Sequence, residues 1–368
     1  MGYKLFSFFS GIGILDLGFE FNNFEILQVF EKERSFLDAY EFSRQNMNFS
    51  LPKYGCSNIE VQNLLNSNEF NSKVKSEKKQ SVVGFIGGPP CPDFSVAGKN
   101  RGSEGENGRL TKDYFNLIYK EEPHFFLFEN VKGIWSTKQH REFLKKELSK
   151  LEKKYTINFS LLNALHFGVP QSRERVIVFG ILKSNYSVNS FFEFDKSMYS
   201  KRYTNAEISN CDWPDPSRFI LDGYKPLPKR IIEDLTVEYW FEKNEVNKHF
   251  NGTEYFKPKS MDKFMTIDEG DTTRKSFKRL NRWKYSPTAA YGNNEVHLHP
   301  YKARRLSVAE ALSLQSLPKD FVLPKNMTLT DKFKSIGNGV PFELANQIAK
   351  GIRTELDTYF ERSELKIV

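Results

Sequence analysis

Val83-Gly84-Phe85-Ile86-Gly87-Gly88-Pro89-Pro90-Cys91-Pro92-Asp93-Phe94-Ser95 is an apolar, partly β-branched run that breaks into a double glycine and a double proline and then presents a cysteine. The run predicts a buried strand, and the prolines predict a rigid turn with a thiol aimed from it. Cys91 is then either a positioned nucleophile or a small buried hydrophobe, the commoner fate of a free cysteine. Similar apolar runs stand upstream at 4–9 and 26–30 and downstream at 124–128 and 176–181, with helical patterns among them. Strands alternating with helices from 4 to 182 predict a mostly parallel sheet covered by helices.

The ends of those strands carry the chemistry. Ser10-Gly11-Ile12-Gly13 follows the first strand and opens a helical pattern. A strand, a glycine turn and a helix can hold a nucleotide-like ligand, because the backbone approaches closely and the helix N-terminus offers free N–H groups. Glu31 closes the second strand about 20 residues later, the spacing at which an acid accepts from a ribose diol. The pair suits a dinucleotide or any other adenosine-containing cofactor. Glu129 ends the strand at 124–128, where open α/β sheets bind ligands, although a glutamate there can also cap the next helix. Arg173 and Arg175 precede the strand at 176–181 and point the same way, ready to grip a polar edge or to form a surface ion pair. The segment 96–109 has glycines at 98, 102, 105 and 108, and Lys99 and Arg101 near its start; it suits an active-site lid or a surface loop. Residues 66–80 are polar and predict a solvated helix end or loop.

The chain has 368 residues and a net charge of +8, which favours an acidic partner such as nucleic acid. Three cysteines at unrelated spacing and six histidines without ligand pairing argue against a disulfide framework and a zinc site. A reducing cytosol and no structural metal are expected. No apolar stretch is long enough for a signal peptide or a membrane span, so a soluble protein is expected. From 183 to 303 the βα rhythm gives way to aromatic, proline-dotted sequence, including the acid-free basic run 274–284. That run suits phosphate contacts and stacking on bases, or a solvated helix face. Regular patterning returns with a capped helix from 304, a glycine turn at 335–341 and an amphipathic helix at 341–356.

Taken in order, Phe9-Ser10-Gly11-Ile12-Gly13, Gly88 to Ser95, Glu129-Asn130-Val131, Gln171-Ser172-Arg173-Glu174-Arg175, Arg305-Leu306-Ser307 with Gln315-Ser316-Leu317-Pro318, and Gly337-Asn338-Gly339-Val340 closely resemble the motifs of the cytosine-5 DNA methyltransferases of bacterial restriction-modification systems. The resemblance reaches both ends of the chain and leaves 183–303 unmatched. It implies an α/β fold: an S-adenosylmethionine-dependent, Rossmann-like catalytic domain at 1–182, completed by 331–368. A smaller, irregular target-recognition domain at 183–330 would face it across a DNA-sized cleft. The implied cofactor is S-adenosylmethionine, with S-adenosylhomocysteine as product and no metal, and the substrate is double-stranded DNA with its target cytosine flipped out.

Cytosine carbon 5 is too weak a nucleophile to take a methyl group until a thiolate adds to carbon 6. The resemblance gives that addition to Cys91, charge stabilisation at ring nitrogen 3 to Glu129, the carbonyl oxygen to Arg175, and orientation of loop and base to Arg173. Around the cofactor it places Phe9, Gly11, Ile12, Gly13, Glu31, Asn58, Ile59, Pro90, Leu110, Asn338 and Val340. Asn58 stands where many members carry an acid, and Ile14 where a further glycine is frequent. Ser95, Lys99 and Arg101 are expected at the DNA as the lid closes, and Arg274, Lys275, Lys278, Arg279 and Arg282 along it. The expected protein is a cytoplasmic monomer with no membrane partner, protecting sites against a restriction endonuclease. The tRNA-methylating branch is an alternative, although its Cys-Phe-Thr tripeptide is missing. A catalytically silent DNA-binding protein is another, against which Cys91, Glu129 and Arg175 stand together. A nicotinamide dehydrogenase would account for the first fifty residues alone.

Overall fold

The computed structural model describes residues 2–90, 106–183, 194–195, 197–257, 261–274, 276–291 and 296–362. Cys91, Ser95, Lys99, Arg101 and Lys275, together with most of the glycine-rich segment, lie outside the described residues.

The first half builds strands β1 (Tyr3–Phe8), β2 (Phe24–Phe30), β3 (Cys56–Ser57), β4 (Val82–Gly87), β5 (Phe125–Val131), β6 (Tyr155–Asn163) and β7 (Glu174–Leu182). They form one sheet in the order β3-β2-β1-β4-β5-β7-β6. Neighbours from β3 to β5 run parallel, while β7 pairs antiparallel with both β5 and β6. The mostly parallel sheet is therefore present, with one reversed strand. The helices among the strands are α1 (Ile14–Glu20), α2 (Arg34–Asn46), α3 (Val61–Leu64), α4 (Asn68–Lys78), α5 (Glu106–Glu121), α6 (Gly133–Ser136) and α7 (Lys138–Leu151).

Strand alternation divides the apolar side chains between two layers. Leu5, Val82, Ile86, Phe125, Leu127, Ile177 and Phe179 pack on one face, with Phe19 of α1 and with Leu344, Ile348 and Ile352 further along the chain. Phe6, Phe8, Val83, Phe85, Phe126, Phe128, Val176 and Val178 pack on the other, with Tyr114 and Ile118 of α5 and Leu144 and Leu148 of α7. Full burial of each such side chain contributes about 1.5–3 kcal/mol, so both layers hold the strand ends in fixed register.

Two local expectations are corrected. The polar stretch 66–80 forms α4, capped by the Ser67 hydroxyl, because Phe70, Val74 and Glu77 fall on one face and are buried. The strand β6, absent from the sequence reading, is a half-buried edge whose residues mix polar and apolar types.

The second half contains α8 (Asn205–Ser209), α9 (Val237–Lys243), α10 (Asp262–Thr266), the short parallel pair β8 (Lys278–Arg279) and β9 (His297–Leu298), then α11 (Val308–Leu314), α12 (Leu329–Asn338) and α13 (Phe342–Arg362). Small apolar clusters hold the irregular part, one of them built from Phe219, Phe264, Ile267 and Leu298. The final helix packs on the sheet. A third cluster joins Ile12, Leu17 and Phe36 to Val308, Leu312, Leu317 and Ile336, so α11 and α12 share core with α1 and α2. The glycine turn expected at 335–341 is, in its first half, the last turn of α12.

The basic run 274–284 turns inward at two of its arginines, which corrects their expected place at the DNA. Arg279 is fully buried: its guanidinium donates to the carbonyls of Ile267 at 2.7 Å and His299 at 2.6 Å, and also to that of Phe264. Arg282 grips Glu269 in a fork, Nε to Oε1 at 2.9 Å and Nη2 to Oε2 at 3.1 Å, and its Nη1 donates to the Gly223 carbonyl at 2.6 Å. Burial of an arginine requires such partners, and they come from residues far away in the sequence.

Candidate active site

At the carboxyl end of β1 the chain turns sharply through Phe9, which has φ 55°, and Gly13, which has φ 78°. A Cβ on Gly13 would lie 2.3 Å from the Tyr40 ring, so only glycine fits both the backbone and the space. The Gly13 carbonyl accepts from Arg44 Nη2 at 2.6 Å. Gly13 thus shapes the turn from behind, whereas the Gly11 amide faces Glu31 and donates to its Oε2 at 2.9 Å. The other Glu31 oxygen accepts from the Glu33 amide at 3.0 Å. Burial pushes the Glu31 carboxyl above its ordinary value, against the pull of these amides. A carboxylate has about four acceptor positions, and the amides of Gly11, Lys32 and Glu33 do not fill them all, so Glu31 can still accept from a ribose hydroxyl.

Three strands away, β5 and β7 bring Glu129 and Arg175 together. Val131 pairs with Arg175 and Glu129 with Ile177, so Glu129 and Arg175 are diagonal neighbours on one face. Arg175 Nε lies 2.8 Å from Glu129 Oε1, and both side chains are buried. Burial raises the Glu129 carboxyl above its ordinary value, with Arg175 and Arg173 opposing. A Cβ on Gly88 would come within 2.7 Å of Glu129 Oε2, so the glycine lets the carboxylate lie against the turn that leads to Cys91. Asn130, which the sequence reading gave no role, donates from Nδ2 to the Pro89 carbonyl at 3.3 Å and fixes the same turn. Its place directly after Glu129 was the available signal.

Arg173 is buried and spends its guanidinium on main chain: Nη1 donates to Ala289 O at 3.0 Å, and Nη2 to Gly337 O at 2.6 Å and Gly339 O at 3.0 Å. It ties the end of α12 and the 289 segment to the sheet.

One cavity of about 980 Å³ collects these groups. Its wall includes Phe9, Gly11, Ile12, Glu31, Ile59, Pro90, Leu110, Glu129, Arg173, Arg175, Asn338 and Val340. Lys278, expected at the DNA, is also on the wall, whereas Arg274 is exposed and pairs with Asp271 at 3.0 Å. Asn58 is exposed, and neither it nor Gly13 is on the wall. Sequence reasoning missed Asp16, a fully buried acid at the wall that accepts from the Ser7 hydroxyl at 2.7 Å. Burial pushes its carboxyl up to about 6.

An acid at one end, apolar walls at Phe9, Ile59 and Leu110, and an ion pair at the other end suit a nucleoside cofactor beside a second polar ring. The volume reaches the upper range for ligand pockets, about 300–1,000 Å³. Among the described residues there is no cluster of metal-ligating side chains, and no helix is long and apolar enough to cross a membrane.

The sheet and the cavity at the ends of its strands define a Rossmann-like α/β fold of the S-adenosylmethionine-dependent methyltransferase class. A solved structure of a putative DNA modification methyltransferase from an E. coli prophage superposes with TM-score 0.69 at 22% identity, covering 97% of this chain and all of that one. A Spodoptera frugiperda DNMT2 variant gives TM-score 0.58 at 16% identity over 97% of this chain. These two show the fold.

The sequence relation is closer. Residues 3–354 match the C-5 cytosine-specific DNA methylase family, and the chain belongs to it. Type II methyltransferase M.NmeDI of Neisseria meningitidis is 48% identical over 98% of this chain and 86% of its own length. Type II methyltransferase M.MthTI of Methanothermobacter thermautotrophicus is 30% identical over 97% of this chain and 99% of its own.

Proposed function

We propose that this methyltransferase moves a methyl group from S-adenosylmethionine to carbon 5 of a cytosine flipped out of a short, specific duplex sequence. The observation that carries the reading is the buried Glu129–Arg175 pair beside the Pro89-Pro90 turn, in the cavity that also holds Glu31. When bound, S-adenosylmethionine supplies an electrophilic methyl group on a sulfonium. Glu31 would receive its ribose hydroxyls, with Phe9, Ile59 and Leu110 around the adenosine and Asn338 and Val340 closing the far side.

The Cys91 thiolate adds to carbon 6 of the ring and pushes electron density toward carbon 5 and ring nitrogen 3. Arg175 holds the ring carbonyl oxygen, and Glu129 shares a proton with nitrogen 3. The raised carboxyl of Glu129 suits that task, because a protonated acid is available nearer neutral pH. After methyl transfer a base removes the carbon 5 proton, the carbon–sulfur bond breaks, and Cys91 leaves as thiolate. The family and the relatives' names support a modification enzyme that protects DNA against a restriction endonuclease. A cytoplasmic monomer acting on one strand at a time fits that role.

The test is methyl transfer from labelled S-adenosylmethionine to duplex DNA, followed by bisulfite sequencing. Wild type is expected to label one sequence context, Cys91→Ala none, and Glu129→Gln at a rate lower by about 10²–10⁴-fold. Labelling by Cys91→Ala would overturn the covalent route. Label found in tRNA and never in DNA would overturn the substrate.

A further inference from the structure

Four large apolar side chains crowd one loop of the smaller lobe. Ile220, Leu221, Tyr224 and Leu227 are 57%, 50%, 86% and 42% exposed. This loop is held in place from below. Phe219 is buried in the cluster with Phe264 and Ile267 and lies 3.8 Å beneath the Arg279 guanidinium. The Gly223 carbonyl accepts from Arg282, the Lys225 carbonyl accepts from the Trp283 indole at 3.0 Å, and the Asp222 amide donates to Tyr301 O at 2.7 Å. Large apolar side chains gathered in one short, braced and exposed loop are of the kind that a partner covers.

Charge selects the partner. Arg218, Lys229 and Arg230 are exposed at the two ends of the loop, Arg230 in a solvent-exposed ion pair with Asp212 at 3.5 Å, and Asp222 is the one acid between 218 and 230. Position points the same way, because the segment that braces the loop through Arg282 and Trp283 also lines the cavity through Lys278, Pro287 and Thr288. We propose that the loop 218–230 is a DNA-reading element: Arg218, Lys229 and Arg230 meet phosphates, while Leu221 and Tyr224 contact bases in a groove and determine sequence specificity. The inference rests on the DNA methyltransferase reading and adds the residues that do the reading. Phosphate contacts position a protein on the duplex, whereas apolar contacts and wedges at base steps discriminate sequence.

The experiment uses the full chain and two duplexes: one with the context that wild type methylates, and one scrambled. Affinity is measured by fluorescence anisotropy across a salt series, S-adenosylmethionine affinity by calorimetry, and mass in solution by sedimentation. Tyr224→Ala and Leu221→Ala are each expected to lose about 10- to 100-fold in affinity for the methylated context and little for the scrambled duplex. Cofactor affinity and mass stay unchanged. Arg218→Ala/Lys229→Ala/Arg230→Ala is expected to weaken both duplexes together and to flatten the salt slope by up to about 3. Unchanged affinity and unchanged methylated context in all three variants would overturn the proposal. So would a wild-type dimer that Tyr224→Ala dissociates with DNA affinity intact, which would give the loop to a second copy. A wild type that methylates no DNA would remove the underlying reading as well, and the wild type alone reveals that case.

Discussion

Behind the glycine turn that follows β1, Arg44 faces two buried carboxyls, Asp16 and Glu20; under the loop 218–230, Glu269 is one buried carboxyl facing two cations, Arg282 and Lys225. Arg44 spends its Nε on Glu20 at 2.7 Å and an Nη on the Gly13 carbonyl, so Asp16 feels the guanidinium only at a distance. Burial dominates there, pushing Asp16 up to about 6 and Glu20 up to about 7. Burial also acts on Glu269, but hydrogen bonds from Arg282 and Lys225 overcome it and hold the carboxyl below its ordinary value. Acids shielded from water thus shift in opposite directions: Asp16 and Glu20 are the more deeply enclosed and share one cation, whereas Glu269 is less enclosed and has two. The excess acid lies at the cavity, and the excess cation lies under the loop 218–230.

The strongest way to break this contrast is Arg282→Met. It leaves Glu269 with Lys225 as its one cation beside the residue 282 amide, and it removes the donor to Gly223, so a loss of about 3–5 kcal/mol in unfolding free energy is expected by denaturant titration. A loss below about 1 kcal/mol would mean that Lys225 and water suffice, and that the cluster is not the anchor of the loop.

Asp16→Asn sharpens the other side. The Asp16 carboxyl rises from 3.8 to about 6 on folding, so the folded chain binds the extra proton across that interval. The stability this contributes is complete below about pH 4 and is lost as pH rises through about 6. The asparagine side chain has no such dependence and still accepts from Ser7. The variant is expected to match wild type near pH 4 and to exceed it at pH 7 by on the order of 2–3 kcal/mol. A flat difference across that range would show that Asp16 is hydrated and titrates normally.

The same contrast explains which parts of the molecule were legible in the sequence. The strands β1, β2, β4, β5 and β7 were readable because both faces are buried, which leaves continuous apolar runs. The strand β6 was not, because its edge position admits Thr156, Asn158 and Ser160 among the apolar residues. Glu31, Glu129 and Arg175 were readable because their strand ends place them at the cavity whatever else the chain does. Arg279 and Arg282 were misread because the carbonyls and the carboxylate that neutralise them lie 10 or more residues away and meet them only after folding. Asp16 left no signal, since an acid in the first turn of a helix is ordinarily solvated and favourable.

Lys225→Met is the smallest of the tests and the most discriminating. Lys225 Nζ lies 2.6 Å from Glu269 Oε2, is partly exposed, and leaves the Arg282 fork intact when removed. The expected loss at pH 7 is therefore about 1 kcal/mol. Glu269 sits below its ordinary value in the folded chain, so the stability it contributes is present above the unfolded value of 4.5 and is lost as pH falls through the folded one. Removing one cation weakens that hold, and the difference between variant and wild type should shrink toward zero as acid protonates Glu269 in both. At Asp16 the variant pulls away from wild type as pH rises because it is relieved of a burdened charge; at Lys225 it falls away as pH rises because it has lost a partner for one. Two stability curves measured side by side would show these differences with opposite signs, and a common sign would mean that burial alone governs both clusters.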